Sequence, residues 1–396
     1  MSLDRRRNLA MAAALVAIWV ILHGLSDGVF LTPRNLYNLA VQSSVVAVMA
    51  TGMVLVIVAR HIDLSVGSVL GFVGMAIATL QVEILPVDAA WNWPLSIAVG
   101  LALGAAIGAW QGYWVAYRGL PAFVVTLAGL LMFRGGAFLL TDGRTVAPLD
   151  PSYQLLGGGL RGSIGAAWSW ALGGVVAAGL VARGFAVRAR RVRLGFTPRP
   201  LSVEIALLAL GCGLVALFVG VMNSTLRPGT EIARGIPVPV LIAIAVAVGM
   251  SGIAGRTRFG RYVFAMGGNP QAAALAGIDV RRLTLQVFVL MGILVSVAAV
   301  LTTARLNAGT NSMGTLAELA VIAAAVIGGT SLSGGAGSIG GAILGAVIMQ
   351  SLETGMVLLG VSSPVRQVVI GLVLIAAVWL DAVYTRRRAA SSWEAA

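Results

Sequence analysis

Lysine is absent from this chain, and all 27 of its basic residues are arginines. A Walker A loop needs its lysine to contact the phosphates of a nucleotide. The chain therefore holds no P-loop nucleotide site of its own. The glycine-rich run 334–341 resembles a phosphate loop only superficially, and its glycines favour close backbone packing between membrane segments instead.

Cysteine and histidine are nearly absent as well. The single Cys212 excludes an internal disulfide, and the only histidines, His23 and His61, stand far apart in the sequence. Neither belongs to a group of cysteines or carboxylates at the spacing of metal ligands. The sequence carries no enzyme signature and predicts no catalytic residue, no metal site and no cofactor.

Charged residues make up only 10% of the chain, whereas hydrophobic residues make up 59% and the mean hydropathy is +0.95. A soluble domain carries about 25% charged residues. The arginines are dispersed between apolar runs, which argues against nucleic acid as a partner and fits topology signals and contacts with anionic membrane lipid. The composition predicts an all-α, polytopic helical membrane protein.

The apolar runs that are candidates for crossing roughly 30 Å of hydrocarbon divide the chain into membrane segments. They are 9–25, 38–58, 66–82, 94–116, 121–140, 166–182, 201–222, 237–254, 285–304, 317–331, 339–359 and 366–382. We expect one transmembrane domain over 1–396, with about 10–12 transmembrane segments. The shortest run, 317–331, is either a full span or a half-helix that enters and leaves on one side.

Most arginines fall in alternate loops, and this pattern predicts the orientation of the chain. The loops 183–200 and 255–284 are rich in arginine, as are the N-terminal segment and the C-terminal tail 384–396. The positive-inside rule places such loops in the cytoplasm. We therefore expect both termini to lie inside.

Within the loop 255–284, a short stretch carries the start and stop signals of a helix. Asn269 is a suitable N-cap, Pro270 suits the first helical position, and Gly277 permits a left-handed exit. The predicted helix comprises Gln271, Ala272, Ala273, Ala274, Leu275 and Ala276. A helix of about two turns is marginal in water by itself, so we expect it to pack on another protein.

Ionisable residues within apolar stretches cost about 2.5–3.5 kcal/mol at a helix centre, so those present are functional candidates. They are Asp63, Arg134, Glu318 and Glu353. One interpretation is a proton relay in a proton-coupled transporter. The other is structural, with Asp63 as the N-cap of the following helix and Glu318 in the first turn of its own.

Polar side chains where helices begin or break are candidates to line a passage at unwound backbone. With Asp63 and Glu318, they are Ser65, Ser68, Thr126, Thr330, Ser331 and Ser333. Serine and threonine in membrane helices equally often bond to their own backbone. Both interpretations stay open at this point.

Several longer motifs resemble the membrane permeases of monosaccharide ABC importers, of the bacterial D-xylose type. The matching stretches are Ile62–Ser68, Trp114–Arg118, Pro121–Gly129, Phe133–Gly135, Phe259–Arg261, Gly267–Pro270, Ala276–Asp279 and Val326–Gly335. The resemblance extends from about residue 40 to 382. The sequence departs from the family pattern at Arg60-His61, at Ala320 and at Glu353. These departures leave the identity of the sugar and the lining of the pathway open.

The resemblance implies a permease subunit of the bacterial inner membrane and a set of partners. Two permease copies form the pathway, two cytoplasmic ATPase subunits drive it, and a periplasmic binding protein delivers the sugar. The helix Asn269–Gly277 would be the coupling helix that docks on the ATPase. The missing lysine agrees with an ATPase on a separate chain. The alternative hypothesis is a proton-coupled secondary sugar transporter.

Overall fold

A computed structural model describes residues 3–159, 162–198, 200–227 and 229–393, with side chains described between 9 and 379. Arg161, Arg199 and residues 394–396 lie outside these ranges, as do the side chains of the terminal arginines. Within the described residues, nine helices are long and apolar enough to cross a membrane. The terminal helices contribute the further apolar stretches Leu9–Leu25 and Ser363–Trp379. The prediction of an all-α, polytopic membrane protein is confirmed.

The helices follow one another with short connections. In chain order they are α1 Leu3–Leu25, α2 Pro33–Val58, α3 Val66–Thr79 with a π-helical extension Leu80–Ile84, α4 Asn92–Ala116, α5 Ala122–Leu139, α6 Pro151–Gln154 with a 3₁₀ turn Leu155–Gly157, α7 Ala166–Arg193, α8 Leu201–Asn223, α9 Val238–Arg256, α10 Arg258–Gly268, α11 Pro270–Leu275, α12 Val280–Leu306, α13 Ala317–Ile327, α14 Ile339–Leu358 and α15 Ser363–Trp393.

Two helices form the centre of the bundle. The most apolar windows of α2 and α12 are 89% and 78% buried, and α12 packs along α4 through small residues. A Cβ at Gly104 would collide with the backbone of Gly292, so the two helices approach backbone to backbone. By contrast, α7 and α8 are only 6% and 11% buried and pack mainly on each other. Their outer faces are apolar surfaces suited to lipid.

The predicted loop 183–200 is largely helical, which corrects the sequence interpretation. Helix α7 continues through Arg193, and α8 begins at Leu201. Arginine and alanine are good helix formers, and no proline interrupts the run. Arg188 also contacts Glu204 of α8 at 2.7 Å, which ties the two helix ends together. Helix α7 therefore extends beyond the apolar run 166–182.

The run 317–331 is neither a full helical span nor a half-helix that returns to its own side. Helix α13 has 11 residues, which is roughly 16 Å of rise, about half of the ~30 Å hydrocarbon core. Before it, a non-helical segment lies along α3, with Gly309 against Ala78 and Gly314 against Gly67. After it, the Gly335 N–H donates to the Val58 carbonyl at 3.0 Å, at the arginine-rich end of α2. The chain crosses the bundle here as a non-helical segment of consecutive turns followed by a short helix.

An arginine from α5 stabilises this broken crossing. Arg134 donates from Nη1 to the carbonyls of Asn311 and Met313 at 3.0 and 2.8 Å. Inside a membrane protein, unwound backbone persists only where protein groups or a polar cavity satisfy its polar atoms. The structure thus assigns a specific role to the intramembrane Arg134, as a donor to non-helical carbonyls.

We expect the substitution Arg134→Met to destabilise the protein. It would leave two partly buried carbonyls without their donor, and an unsatisfied buried acceptor costs about 1–3 kcal/mol. A thermal unfolding series in detergent measures the effect. Arg144→Met is the matched control, because the Arg144 side chain is 66% exposed and reaches Glu83 only at 3.6 Å, a pair worth about 0–1 kcal/mol. Equal unfolding temperatures for the two variants would contradict the assigned role.

Candidate functional site

The predicted capped helix exists on the arginine-rich side of the bundle as α11. The Asn269 side chain accepts from the Ala272 N–H at 3.0 Å, and Pro270 occupies the start of the helix. Gly277 has φ +83°, the left-handed exit that the sequence predicts. The caps are confirmed, and the helix Pro270–Leu275 ends one residue before the predicted last residue, Ala276. Its coupling role stays a prediction.

A second helix in the same loop was missed from the sequence. Helix α10 lies between α9 and α11, and the Thr257 hydroxyl caps it by accepting from the Gly260 N–H at 3.1 Å. Its residues Val263 and Met266 are buried against the bundle. A threonine followed by apolar residues at three- and four-residue spacing is the signal that would have found it. The loop 255–284 is therefore mostly helical, and α10 holds α11 in place.

Helix α11 is anchored through one side chain and open along the rest of its surface. Ala273 is buried, while Ala272, Ala274 and Ala276 are exposed. Leu275 is 90% exposed, so a large apolar side chain projects from a helix of only 6 residues. Burial of such a leucine in a partner would contribute about 1.5–3 kcal/mol.

Arg60 ties this loop to the transmembrane bundle. It follows α2 with φ +66°, and it donates from Nε to the Gly267 carbonyl at 2.6 Å and from Nη2 to the Gly268 carbonyl at 2.7 Å. Gly267 also lies against the Val58 carbonyl and Gly335. The end of α2, the end of α10 and the glycine-rich loop before α14 therefore meet at one point.

The loop between α2 and α3 holds the first cluster of predicted pathway residues. Asp63 accepts from the Ser65 N–H at 2.8 Å and from the Ser65 hydroxyl at 2.6 Å, and Gln111 donates to the same hydroxyl at 2.7 Å. Ser65, not Asp63, is the N-cap residue of α3, which corrects the structural interpretation of Asp63. Asp63 instead closes a local turn. Burial raises the pKa of Asp63, and the two hydrogen bonds from Ser65 oppose that shift.

Glu318 joins this cluster from the first turn of α13, as its structural interpretation predicts. A Cβ at Gly67 would collide with the Glu318 carboxylate, so the glycine makes room for it. The Glu318 Oε2 atom is buried without a hydrogen-bond partner, and Arg134 and Asp63 are the charged groups that act on it. Ser68 is buried in the first turn of α3. The structure thus brings two carboxyl groups and a guanidinium to the break before α13.

Thr126 lies beside the same loop. Its hydroxyl donates to the Ile62 carbonyl at 3.2 Å and to its own helix at Ala122 at 2.9 Å. The remaining candidates, Thr330, Ser331 and Ser333, form a separate group in the loop before α14. Thr330 is buried without a partner for its hydroxyl, whereas Ser331 and Ser333 bond to each other at 2.8 Å. The eight predicted residues therefore form two groups, and their lining of a pathway stays a prediction.

The remaining unusual residues have distinct surroundings. Burial lowers the pKa of His61 to about 4, and its ring packs 5.8 Å from that of Phe288. His61 is thus neutral near pH 7 and poorly suited to carry protons there. Glu353 lies toward the opposite end of the bundle, where it attracts the Arg305 guanidinium.

A broken crossing, a buried polar cluster at the break and a capped helix on the arginine-rich side together define a multi-pass membrane permease. Comparison with protein families agrees with this class. The family described as "Branched-chain amino acid transport system / permease component" matches residues 35–378, and the chain belongs to that family.

Individual relatives cover most of the chain. It is 40% identical over 312 residues to the xylose transport system permease protein of Escherichia coli (strain K12), covering 79% of this chain and 75% of the relative. The corresponding protein of Haemophilus influenzae is 40% identical over 324 residues, or 80% of each chain. The ribose import permease protein of Escherichia coli (strain K12) is 34% identical over 311 residues, or 78% of this chain and 73% of the relative. No solved structure matches the chain.

The tether at Arg60 leads to a local prediction. Arg60→Gln should release α10 and α11, because both donors to Gly267 and Gly268 are lost or displaced. Hydrogen exchange by mass spectrometry over residues 258–277 should become faster. Arg60→Gly distinguishes the effect of the side chain from that of the backbone, because glycine adopts the left-handed conformation without cost. This variant loses the side-chain hydrogen bonds and relieves the backbone, so it should also make exchange faster.

Arg118→Gln is the matched control for this measurement. Arg118 lies in the next loop on the same side, and its guanidinium stacks 5.5 Å from the Tyr113 ring centroid. This substitution should leave exchange over 258–277 unchanged. Unaltered exchange in both Arg60 variants would show that the tether does not hold the loop.

Proposed function

We propose that this chain is the transmembrane permease subunit of an ATP-driven, binding-protein-dependent sugar importer of the bacterial inner membrane. D-xylose or a related monosaccharide is the proposed substrate. The observation that carries the proposal is α11, a capped helix on the arginine-rich side with Leu275 90% exposed. The family match and the names of the relatives for xylose and ribose support the substrate class.

The proposed partners follow from the missing lysine and from the exposed helix α11. It has no lysine for a P-loop, so two ATPase subunits would hydrolyse ATP and receive α11 in a surface cleft. A periplasmic binding protein would deliver the sugar at the opposite side. A second permease copy would complete a homodimer, and the arginine-rich helix ends would contact anionic lipid.

Arg60 supports a direct route for force in this proposal. Movement of α11 would pull on Gly267 and Gly268, and the bonds from Arg60 would transfer the movement to the loop between α2 and α3. That loop carries Asp63 and Ser65, beside the break before α13. A short helix with breaks at both ends can shift as a unit more readily than a continuous span. Closure of the ATPase pair would alternate access by this route.

A proton-coupled secondary transporter is the second candidate. One specific observation favours it, the buried Asp63 and Glu318 beside Arg134, because intramembrane carboxyl groups are the usual components of proton relays. The exposed α11 has no purpose in such a transporter, so we place this candidate second.

Uptake into proteoliposomes distinguishes the two candidates. We expect D-xylose to accumulate only when the ATPase, ATP and the binding protein accompany the permease. If the purified chain alone accumulated D-xylose under an imposed proton gradient, the importer proposal would be wrong and the proton-coupled alternative would replace it.

Substitution of Leu275 tests the docking of α11. Leu275→Asp should weaken association with the ATPase about 10- to 100-fold, since about 1.5–3 kcal/mol of leucine burial is lost. ATPase retained on the immobilised permease gives the measurement, together with ATP-driven uptake. Ala274→Asp, at another exposed position, should act in the same direction.

The matched control is Leu194→Asp at the end of α7. Leu194 is also an exposed leucine, at 60%, on the same side of the bundle, and its substitution should leave ATPase association intact. Ala273→Asp is unsuitable because Ala273 is buried and its substitution would disturb α11 itself. Equal retention of the ATPase by the Leu275 and Leu194 variants would rule out docking at α11.

A further inference from the structure

A cavity of about 800 Å³ opens at the end of the bundle opposite α11, and the charged groups that line it are all positive. The first turns of α2, the loop after α8 and the last turn of α12 form its walls. Each wall contributes one arginine to the lining, and these are Arg34, Arg234 and Arg305. A sphere of that volume is about 11–12 Å across, close to the distance of about 8 Å over which physiological salt screens charge. The three guanidinium groups therefore repel one another across the cavity.

Carboxylates within the described part of the chain leave this charge largely uncompensated. The ion pairs closer than 4.0 Å lie elsewhere, at Glu83 and at Glu204. Glu231 is exposed in the loop after α8 and does not line the cavity. Glu353 of α14 attracts Arg305 from outside the lining, so it offsets one of the three positive charges. The remaining excess of positive charge indicates an anionic ligand.

The start of α2 adds to the positive potential of the same cavity. Thr32 and Pro33, at the N-terminus of this 26-residue helix, both belong to the lining. The Thr32 side chain makes no cap hydrogen bond, and its hydroxyl donates instead to the Val29 carbonyl at 2.7 Å. The first turn contains no acidic residue and carries Arg34. An uncapped helix N-terminus attracts anions through its free N–H groups and its dipole, so the helix reinforces the preference of the arginines.

The cavity lies at the level of the lipid headgroups. The Arg234 carbonyl accepts from the Gly165 N–H at 2.9 Å, and Gly165 directly precedes α7. The first five residues of α7 include Trp168 and Trp170, which are 73% and 50% exposed. Exposed tryptophans at the ends of membrane helices lie at the headgroup level. The backbone of Arg234 therefore lies at that level as well.

Apolar groups next to the arginines fit the glycerol and acyl part of a lipid. Val41 of α2 and Leu226 after α8 belong to the lining, and Leu226 is 52% exposed. The loop that carries Leu226 directly follows α8, which is only 11% buried and has an outer face suited to lipid. A small soluble anion would need no such surface. A phospholipid matches both parts, because its phosphate is anionic and its chains are apolar.

We propose that this cavity binds the headgroup of one anionic phospholipid from the leaflet at that end of the bundle, which is the periplasmic leaflet in the orientation proposed above. Arg34 and Arg305 donate to the phosphate, and the free N–H groups at the start of α2 add to its binding. The acyl chains lie along α8. The bound lipid offsets the repulsion among the arginines and connects α8 to α2 and α12. The site does not depend on which substrate the permease carries.

Thiol labelling tests the site directly, because Cys212 is the only cysteine in the chain. In a Cys212→Ala background, Ser224→Cys places a thiol in the cavity lining. The permease is reconstituted in nanodiscs of phosphatidylcholine with increasing fractions of phosphatidylglycerol, and a neutral polyethylene glycol maleimide is added. Labelling should be about fivefold slower when about four fifths of the sites hold the anionic lipid, as mass action requires. Labelling that does not respond to phosphatidylglycerol would overturn the proposal.

Ser362→Cys in the same background is the matched control. Ser362 is exposed in the connection between α14 and α15 at the same end of the bundle, outside the cavity lining. Its labelling should not respond to phosphatidylglycerol. Equally slower labelling at both positions would mean a general effect of the lipid on the reagent or the protein and would contradict a site in the cavity.

Two substitutions in the lining locate the effect. Arg34→Gln and Arg305→Gln, each combined with Ser224→Cys, should weaken lipid binding about tenfold, the cost of one lost hydrogen bond to a charged group. The slowing of labelling should then fall from about fivefold to about 1.4-fold. Arg144→Gln should keep the full protection, since the Arg144 side chain is 66% exposed and does not line the cavity. Equal effects of all three variants would count against the proposal.

Two further probes distinguish the lipid from other anions. Inorganic phosphate added to phosphatidylcholine nanodiscs should give no protection, and protection equal to that of phosphatidylglycerol would mean that a soluble anion occupies the cavity. Poly-glutamate should likewise have no effect. Protection by poly-glutamate without protection by phosphatidylglycerol would mean that the cavity receives an acidic protein surface, and the lipid site would be refuted.

Discussion

A break in a helix within an apolar bundle leaves carbonyl oxygens that water does not reach, and the protein itself must supply their donors. Arg134 meets this requirement here by donating to the non-helical segment before α13. At the exposed, arginine-rich end of the bundle, Arg60 donates in a similar way to two carbonyls at the end of α10. A guanidinium holds several donors in one plane and stays charged, so a single side chain satisfies two carbonyls at once. Lysine, a compact point charge, would not reproduce this geometry.

The functional parts of the permease depend on these two contacts. With the non-helical segment before α13 held along α3, Glu318 lies beside Gly67 and near Asp63. With α10 held under the end of α2, α11 projects from the arginine-rich side and exposes Leu275. The same bonds that stabilise the breaks therefore connect the surface proposed for the ATPase with the polar cluster at the centre of the bundle.

Local signals in the sequence predicted the elements that local chemistry controls. The caps at Asn269 and Gly277 were confirmed because a cap involves only neighbouring residues. The apolar runs gave most of the membrane helices, whereas the sidedness that the arginine pattern indicates stays a prediction. The sequence analysis ended α7 too early because hydropathy marks the membrane, whereas the helix continues through Arg193 on the helix propensity of its residues and the Arg188–Glu204 contact with α8. It missed α10 because the surrounding arginines mask the apolar face of that helix.

The sequence by itself determined the class of protein, the all-α membrane fold, the lack of a lysine for a P-loop and the capped helix. Only the tertiary structure decided which polar residues meet. Arg60 and Gly267, or Arg134 and Met313, are far apart in the chain, and hydrogen bonds between them exist only after the helices pack. A cavity beside Tyr37 belongs to the same category, since the first turns of α2, the loop after α8 and the end of α12 each contribute one wall. Composition and spacing describe which groups are available, but burial and proximity, which give those groups their chemistry, are properties of the packed bundle.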